Sequence, residues 1–262
     1  MRVLLTLENF SYLSGSPLYS FELFRGFREA GHEVDIHSGA IGGELETKAR
    51  EIGVKFGIDG EYDLWISSQA FSASFKVDAK KHFHIYQSEF DCENADVRAD
   101  KYFVVRPLSL RKYPNAEILW NPIDPSRFNE KNTADKRFIL FVGTVDGMRR
   151  QAFEETCRIA KAKGLSVKLV GKKFNDWGIL PDNATYEPDR WNIEELTKRC
   201  TETAGIMYGR TTIEGFMCGK PGHFWEVDHA GNLLACNYIQ AYNVDVTQHF
   251  TENVIKKICC LI

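Results

Sequence analysis

Two short segments carry the residues whose types and spacing suit chemistry on a phosphorylated ligand. In FVGTVDGMRR, Gly143 allows a tight turn and a close backbone approach to an anion after the apolar run 138–142. Thr144 follows it, and Arg149 and Arg150 put two cations at the start of the next helix, an arrangement that can neutralise a diphosphate. In YGRTTIEGFMCGKP, Thr211 and Glu214 have the S/T-x-x-E spacing of a capping box, Phe216 and Met217 supply apolar surface, and Gly219 with Pro221 ends the helix within about two turns. The start of such a helix offers free backbone N–H groups and the positive end of a dipole to phosphate or sugar oxygens. Each segment has a plainer reading. Paired arginines at a helix start are commonly solvated, and Glu214 can serve only as the capping partner of Thr211.

The elements that must position these residues alternate strand and helix, and they do so twice. Strands are predicted at 2–7, 33–37, 63–67, 82–87, 101–105 and 117–120, with helices opening at Ser16 and Pro17 and spanning 44–52. The polar stretch NPIDPSRFNEKNTADK, with two prolines, breaks every periodicity and reads as a linker. A second set follows, with strands at 138–142, 166–170 and 205–208, helices at 151–163 and 193–200, and then the short helix described above. The expected fold is α/β, with two Rossmann-like, doubly wound parallel-sheet domains whose strand ends face each other across a cleft. The boundaries are 1–124 for the first domain, 125–136 for the linker and 137–246 for the second domain. A terminal helix at 247–262 is expected to cross back to the first.

Composition excludes several classes. A net charge of −3 over 262 residues leaves no basic excess for general nucleic-acid binding. No apolar run is long enough to cross a bilayer, and the chain enters a strand directly at MRVLLTLENF, so a cytoplasmic location is expected. Seven cysteines without a C-x-x-C pair suit reduced thiols. No H-E-x-x-H, P-loop, G-x-S-x-G or strand-terminal Asp-x-Asp occurs, and no metal is expected.

The chain resembles the retaining glycosyltransferases of family 4, which have the glycosyltransferase-B fold. EGFMCGKP is similar to that family's EAMACGKP, and SGSPLYSFELFRGFREAGHEVDIHS to its first loop and helix, which ends in G-H-E-V. WNPIDPSRF is similar to N-G-V-D-x-x-x-F, and FVGTVDGMRR to F-V-G-R-x-x-x-x-K-G. There are departures. Thr144 stands at the arginine position, Arg149 at the lysine position and Arg150 at the glycine position, while the first of the family's two glutamates has no counterpart upstream of Glu214. Gln87 or Ser88 stands where the family has a histidine, and His82 and His84 read as packed strand residues.

The resemblance implies a retaining hexosyltransferase that takes a UDP- or GDP-linked sugar as co-substrate, without a metal, and passes it to a glycan or other hydroxyl acceptor. It places Arg149, Arg150 and Glu214 nearest the chemistry, with Glu214 on the ribose. Donor contacts fall to Gly143, Thr144, Arg149, Arg150, Pro188, Tyr208, Gly209, Arg210, Thr211, Thr212 and Glu214. The acceptor side falls to Ser14, Gly15, Ser16, Gln87 and Ser88. Two alternatives stay open: a non-catalytic nucleotide-sugar or glycan-binding module, and a nucleotide-sugar epimerase of the same fold. The oligomeric state is not legible.

Overall fold

The computed structural model describes residues 1–88, 97–129 and 137–262. The chain forms two compact units, one of Met1–Ile123 with Thr247–Ile262, the other of Asp124–Val246. Residues 130–136 of the expected linker lie outside the described residues.

The first unit is built on β1 (Arg2–Phe10), α1 (Gly15–Glu29), β2 (Glu33–Ile41), α2 (Gly43–Glu51), β3 (Lys55–Phe56), β4 (Glu61–Ser68), β5 (Asp78–Tyr86), β6 (Lys101–Val104) and β7 (Glu117–Ile118). All seven strands are parallel, in the order β3-β2-β1-β4-β5-β6-β7. Val3, Leu4, Leu5 and Leu7 of β1 are buried, as a central parallel strand requires. α1 begins earlier than its sequence suggests. Ser14, not Ser16, occupies the N-cap, and Pro17 sits within the first turn, where its missing N–H costs nothing. The reversal of strand order between β1 and β4 is a topological switch point, where an open α/β sheet leaves room for a ligand at its carboxyl edge.

The second unit has β8 (Phe138–Val142), α3 (Gly147–Ala162), β9 (Ser166–Val170), β10 (Ala184–Glu187), α4 (Ile193–Arg199), β11 (Glu202–Ile206), α5 (Arg210–Met217), β12 (Gly222–Val227) and β13 (Leu233–Ile239). The sheet order is β10-β9-β8-β11-β12-β13, and the switch point lies between β8 and β11. Five strands are parallel. β13 returns antiparallel to β12 through a hairpin whose turn is set by Asp228, which accepts from the N–H groups of Ala230 and Asn232, and by Gly231 at φ +84°. β11 ends at Ile206, so the strand expected at 205–208 lies several residues earlier. Cys157, Cys200 and Cys218 are buried and unpaired, and burial pushes their thiols up to about 12.

The last helix, α6 (Thr251–Cys259), belongs to the first unit. It lies on α1 at Gly26, where a Cβ would fall 2.5 Å from Thr251 Cγ2 and 2.7 Å from Ile255 Cγ1. Glycine is what lets the two helices approach so closely. Backbone bonds from Ile123 to His249 and from Thr251 back to Ile123 fix the segment before α6, and Lys257 Nζ donates to the Ile118 carbonyl at 2.6 Å.

Candidate functional site

At the switch point of the second sheet, two adjacent strands each run into a helix that carries an arginine in its first turn. β8 ends in the loop Gly143–Asp146, held down by Gly143 N donating to Val170 O at 3.0 Å. Gly171, at the end of β9, passes so close that a Cβ there would fall 1.9 Å from the Gly143 carbonyl oxygen. Asp146 is the N-cap of α3 and accepts from the Arg149 N–H at 3.1 Å. The same carboxylate receives the Arg149 guanidinium and the Thr144 hydroxyl, each at 2.5 Å. Trp177 Nε1 donates to the Asp146 carbonyl at 3.2 Å, which fixes the residue further. Arg149 folds back over Gly143, its Nε and Cδ filling the space where a Cβ would stand, at 2.8 and 2.9 Å. Arg150 does something else. It faces outward and pairs with Glu154 on the exposed flank of α3.

The loop from β11 to α5 is the second half of the site. Met207 has φ 57°, a left-handed backbone unusual for a side chain of its size, and Gly209 N donates to Met207 O at 2.8 Å, which closes a tight turn. Gly209 is the N-cap of α5 and Arg210 its first residue. This overturns the capping box: Thr211 lies inside the helix, and Glu214 does not cap it. Arg210 Nε instead donates to Glu214 Oε1 at 2.6 Å, with both side chains buried. A cation in a helix's first turn opposes the dipole, and Glu214 compensates it one turn on. Tyr208 packs on Phe216 and Phe224, and burial raises its hydroxyl pKa. Thr212 is buried against β12, its Cγ2 3.0 Å from the position of a Gly222 Cβ, while Thr211 stays partly exposed.

The sheet therefore gathers Gly143, Thr144, Arg149, Tyr208, Gly209, Arg210 and Glu214 around the loops flanking β8 and β11. Pro188 is exposed just past β10, two strands from β8. Sequence reasoning missed Asp146, Gly171 and Met207. For Asp146 a signal existed: an aspartate three residues before Arg149, directly ahead of a helix, is an N-cap pattern.

On the first unit, Gly15 is exposed at the start of α1, beside Ser14 and Ser16. Gln87 Nε2 donates to Ser68 Oγ at 2.8 Å, with Ser88 next in the chain. His82 and His84 flank Ser67, whose hydroxyl lies 2.7 Å from His82 Nε2 and 2.7 Å from His84 Nδ1. His82 Nδ1 lies 2.8 Å from the Arg98 carbonyl and its ring stacks on Trp65 at 3.7 Å. These partners assign the tautomers. His82 donates from Nδ1 and accepts from Ser67, and Ser67 accepts from His84 Nδ1. Burial brings the His84 pKa down to about 3, with His82 adding to the shift. Among the described residues, no group of three or more His, Cys, Asp or Glu side chains could hold a metal ion. No helix of the described chain is long and apolar enough to cross a membrane.

No protein-family model and no curated sequence matches the chain. Solved structures do. A structure of Anabaena Alr3699/HepE in complex with UDP-glucose superposes with a TM-score of 0.65 at 13% identity, covering 88% of this chain and 81% of that one. AviGT4, a glycosyltransferase involved in avilamycin A biosynthesis, gives 0.59 at 16%, covering 86% and 78%. An α-glucosyltransferase in complex with UDP and a 13-mer DNA containing an HMU base gives 0.55 at 13%, covering 100% and 90%. The fold that these similarities define is that of the two-unit Rossmann-like glycosyltransferases, the glycosyltransferase-B type.

Proposed function

We propose that this chain is a nucleotide-sugar glycosyltransferase, a retaining hexosyltransferase that takes its sugar from a UDP- or GDP-linked donor and passes it to a hydroxyl acceptor. One observation carries this reading. The helices leaving the two strands at the switch point of the second sheet each carry an arginine in the first turn, Arg149 or Arg210, and each arginine is held by a carboxylate of its own segment, Asp146 or Glu214. Helix N-termini with a nearby guanidinium suit a diphosphate, and UDP or UDP-glucose is present in the similar structures.

In this mechanism the diphosphate enters beside the Gly143 loop at the start of α3, and Arg149, which lies over Gly143, stabilises the negative charge that develops as the sugar leaves. The acceptor hydroxyl attacks the face the diphosphate vacates and gives its proton to the departing phosphate, so configuration is retained without a side-chain nucleophile. The enzyme's part is to orient both substrates. The roles of a metal are covered by the arginines and the two helix starts. A net charge of −3 favours an acceptor other than nucleic acid.

A non-catalytic donor-binding module is favoured by a single feature. The Glu214 carboxylate is already engaged by Arg210, and a ribose must share it or displace it. Incubation with a panel of UDP- and GDP-sugars without acceptor separates the two readings. A transferase slowly releases nucleoside diphosphate from its cognate donor, whereas a module binds the donor and leaves it whole.

A further inference from the structure

Directly after β4, at the switch point of the first sheet, Gln69 has φ 73°, a conformation rare for a residue with a side chain. It starts a 3-10 turn, Ala70–Ser74, that is fixed from several sides. Ser72 is buried and its hydroxyl lies 2.7 Å from the Ser68 carbonyl and 2.9 Å from that of Gln69, while Thr6 Oγ1 donates to the Ser72 carbonyl at 3.2 Å. Ser74 Oγ closes the turn on the Phe71 carbonyl at 2.7 Å. All this order holds up one exposed aromatic ring. Phe71 is 52% exposed, and Phe75 meets it edge-on at 5.7 Å. Phe75 in turn packs edge-on against His37 at 4.6 Å. Beneath the ring lies Gly39 of β2, where a Cβ would come within 3.4 Å of Phe71 Cε1.

A lone surface phenylalanine needs no explanation, but one held on a strained, internally bonded turn at a switch point does. The neighbouring polar groups are neutral amides and hydroxyls. Gln69 accepts from the Glu8 N–H at 3.4 Å, and Gln87 lies on Ser68. Glu8, whose N–H donates to Gln69, and Lys76, which directly follows Phe75, are of opposite sign, so this pair favours no anionic ligand. A flat π face beside neutral donors and acceptors matches the apolar C–H face and the hydroxyl rim of a sugar ring.

We infer that Phe71 is the stacking platform of a subsite for a neutral carbohydrate, on the acceptor side of the reaction proposed above, and that the acceptor is therefore an uncharged glycan. This rests on the glycosyltransferase reading for its role, though not for its existence. The test uses the full chain on an array of neutral and anionic oligosaccharides, with UDP and GDP binding measured in parallel by calorimetry. The parent captures neutral glycans, Phe71→Ala lowers that capture at least tenfold, and Phe71→Trp retains it, with the melting temperature of each variant measured to show that it is folded at the assay temperature. The inference is overturned by any of three results: the parent captures no neutral glycan, Phe71→Ala binds within twofold of the parent, or Phe71→Ala changes the oligomeric state, which would mean that a second copy covers the ring. Absence of UDP and GDP binding by the parent would count against the donor reading alone, and the glycan result would stand apart from it.

Discussion

Arg210 Nε donates to Glu214 Oε1 at 2.6 Å, one helical turn apart at the start of α5, with both side chains buried. The order is the less favourable one for a helix, with the cation toward the N-terminus, where the dipole repels it. Removing one partner of a buried pair leaves an uncompensated charge and typically costs 3–5 kcal/mol. Glu214→Ala is therefore expected to lower unfolding stability by about 3–5 kcal/mol, whereas Thr211→Ala, at a position that caps nothing, changes it by less than about 0.5 kcal/mol. Denaturant unfolding of the two variants checks the assignment. A loss of about 1 kcal/mol on Thr211→Ala would restore the capping role.

The two arginines of α3 are expected to behave differently. Arg149 lies over Gly143 and is mostly buried against the loop, while Arg150 pairs with Glu154 in solvent. Arg149→Ala is expected to weaken nucleoside-diphosphate binding by about 1.5–3 kcal/mol, the range for a hydrogen bond to a charged group. Arg150→Ala should change it by less than about 1 kcal/mol. Calorimetric titration with UDP and GDP decides between them, and equal effects would mean that the loop does not single out Arg149.

Asp146 caps α3 and holds Arg149 at the same time. Asp146→Ala is expected to cost about 1 kcal/mol of stability through the lost cap, and Asp146→Asn far less, since asparagine caps as well as aspartate does. Thermal melts of both variants provide the comparison. Equal losses would show that the charge, and not the cap, is what stabilises the helix start.

His84 links stability to pH. Its folded-state pKa, about 3, lies below the unfolded value near 6.5. The unfolded chain therefore binds the extra proton first, and stability is lost as pH falls from about 6.5 toward 3, at a slope approaching 1.4 kcal/mol per pH unit. His82, shifted in the same direction by burial, adds to it. His84→Asn should flatten the decline measured by denaturant unfolding as pH falls from about 6.5 toward 3. An unchanged slope would show that other groups carry the acid sensitivity.

The parts of the fold that were legible in the sequence are those in which burial writes a strong pattern. The run Phe138–Val142 is apolar because a central parallel strand is covered on both faces, and α1 shows its buried stripe through Phe21, Phe24 and Phe27. β13 was not legible, because an edge strand with Leu234 and Tyr238 in solvent has no core-facing rhythm. The turn D-H-A-G-N was a hairpin signal all the same. In the candidate site, Arg149 and Gly143 could be read from turn and charge chemistry. The partner of Glu214 could not be read in the same way, since Thr211 and Arg210 both lie at helical spacing from it and only the exact first residue of α5 decides between a cap and an ion pair.

Release of nucleoside diphosphate from a nucleotide-sugar panel, measured on the parent and on Arg149→Ala, tests the central claim most directly. The account predicts that the parent hydrolyses one UDP- or GDP-sugar slowly without acceptor, and that Arg149→Ala lowers this rate by about 10- to 100-fold, the equivalent of about 1.4–2.8 kcal/mol of transition-state stabilisation. Binding of a donor with no release by the parent, or release that is indifferent to Arg149, would contradict it.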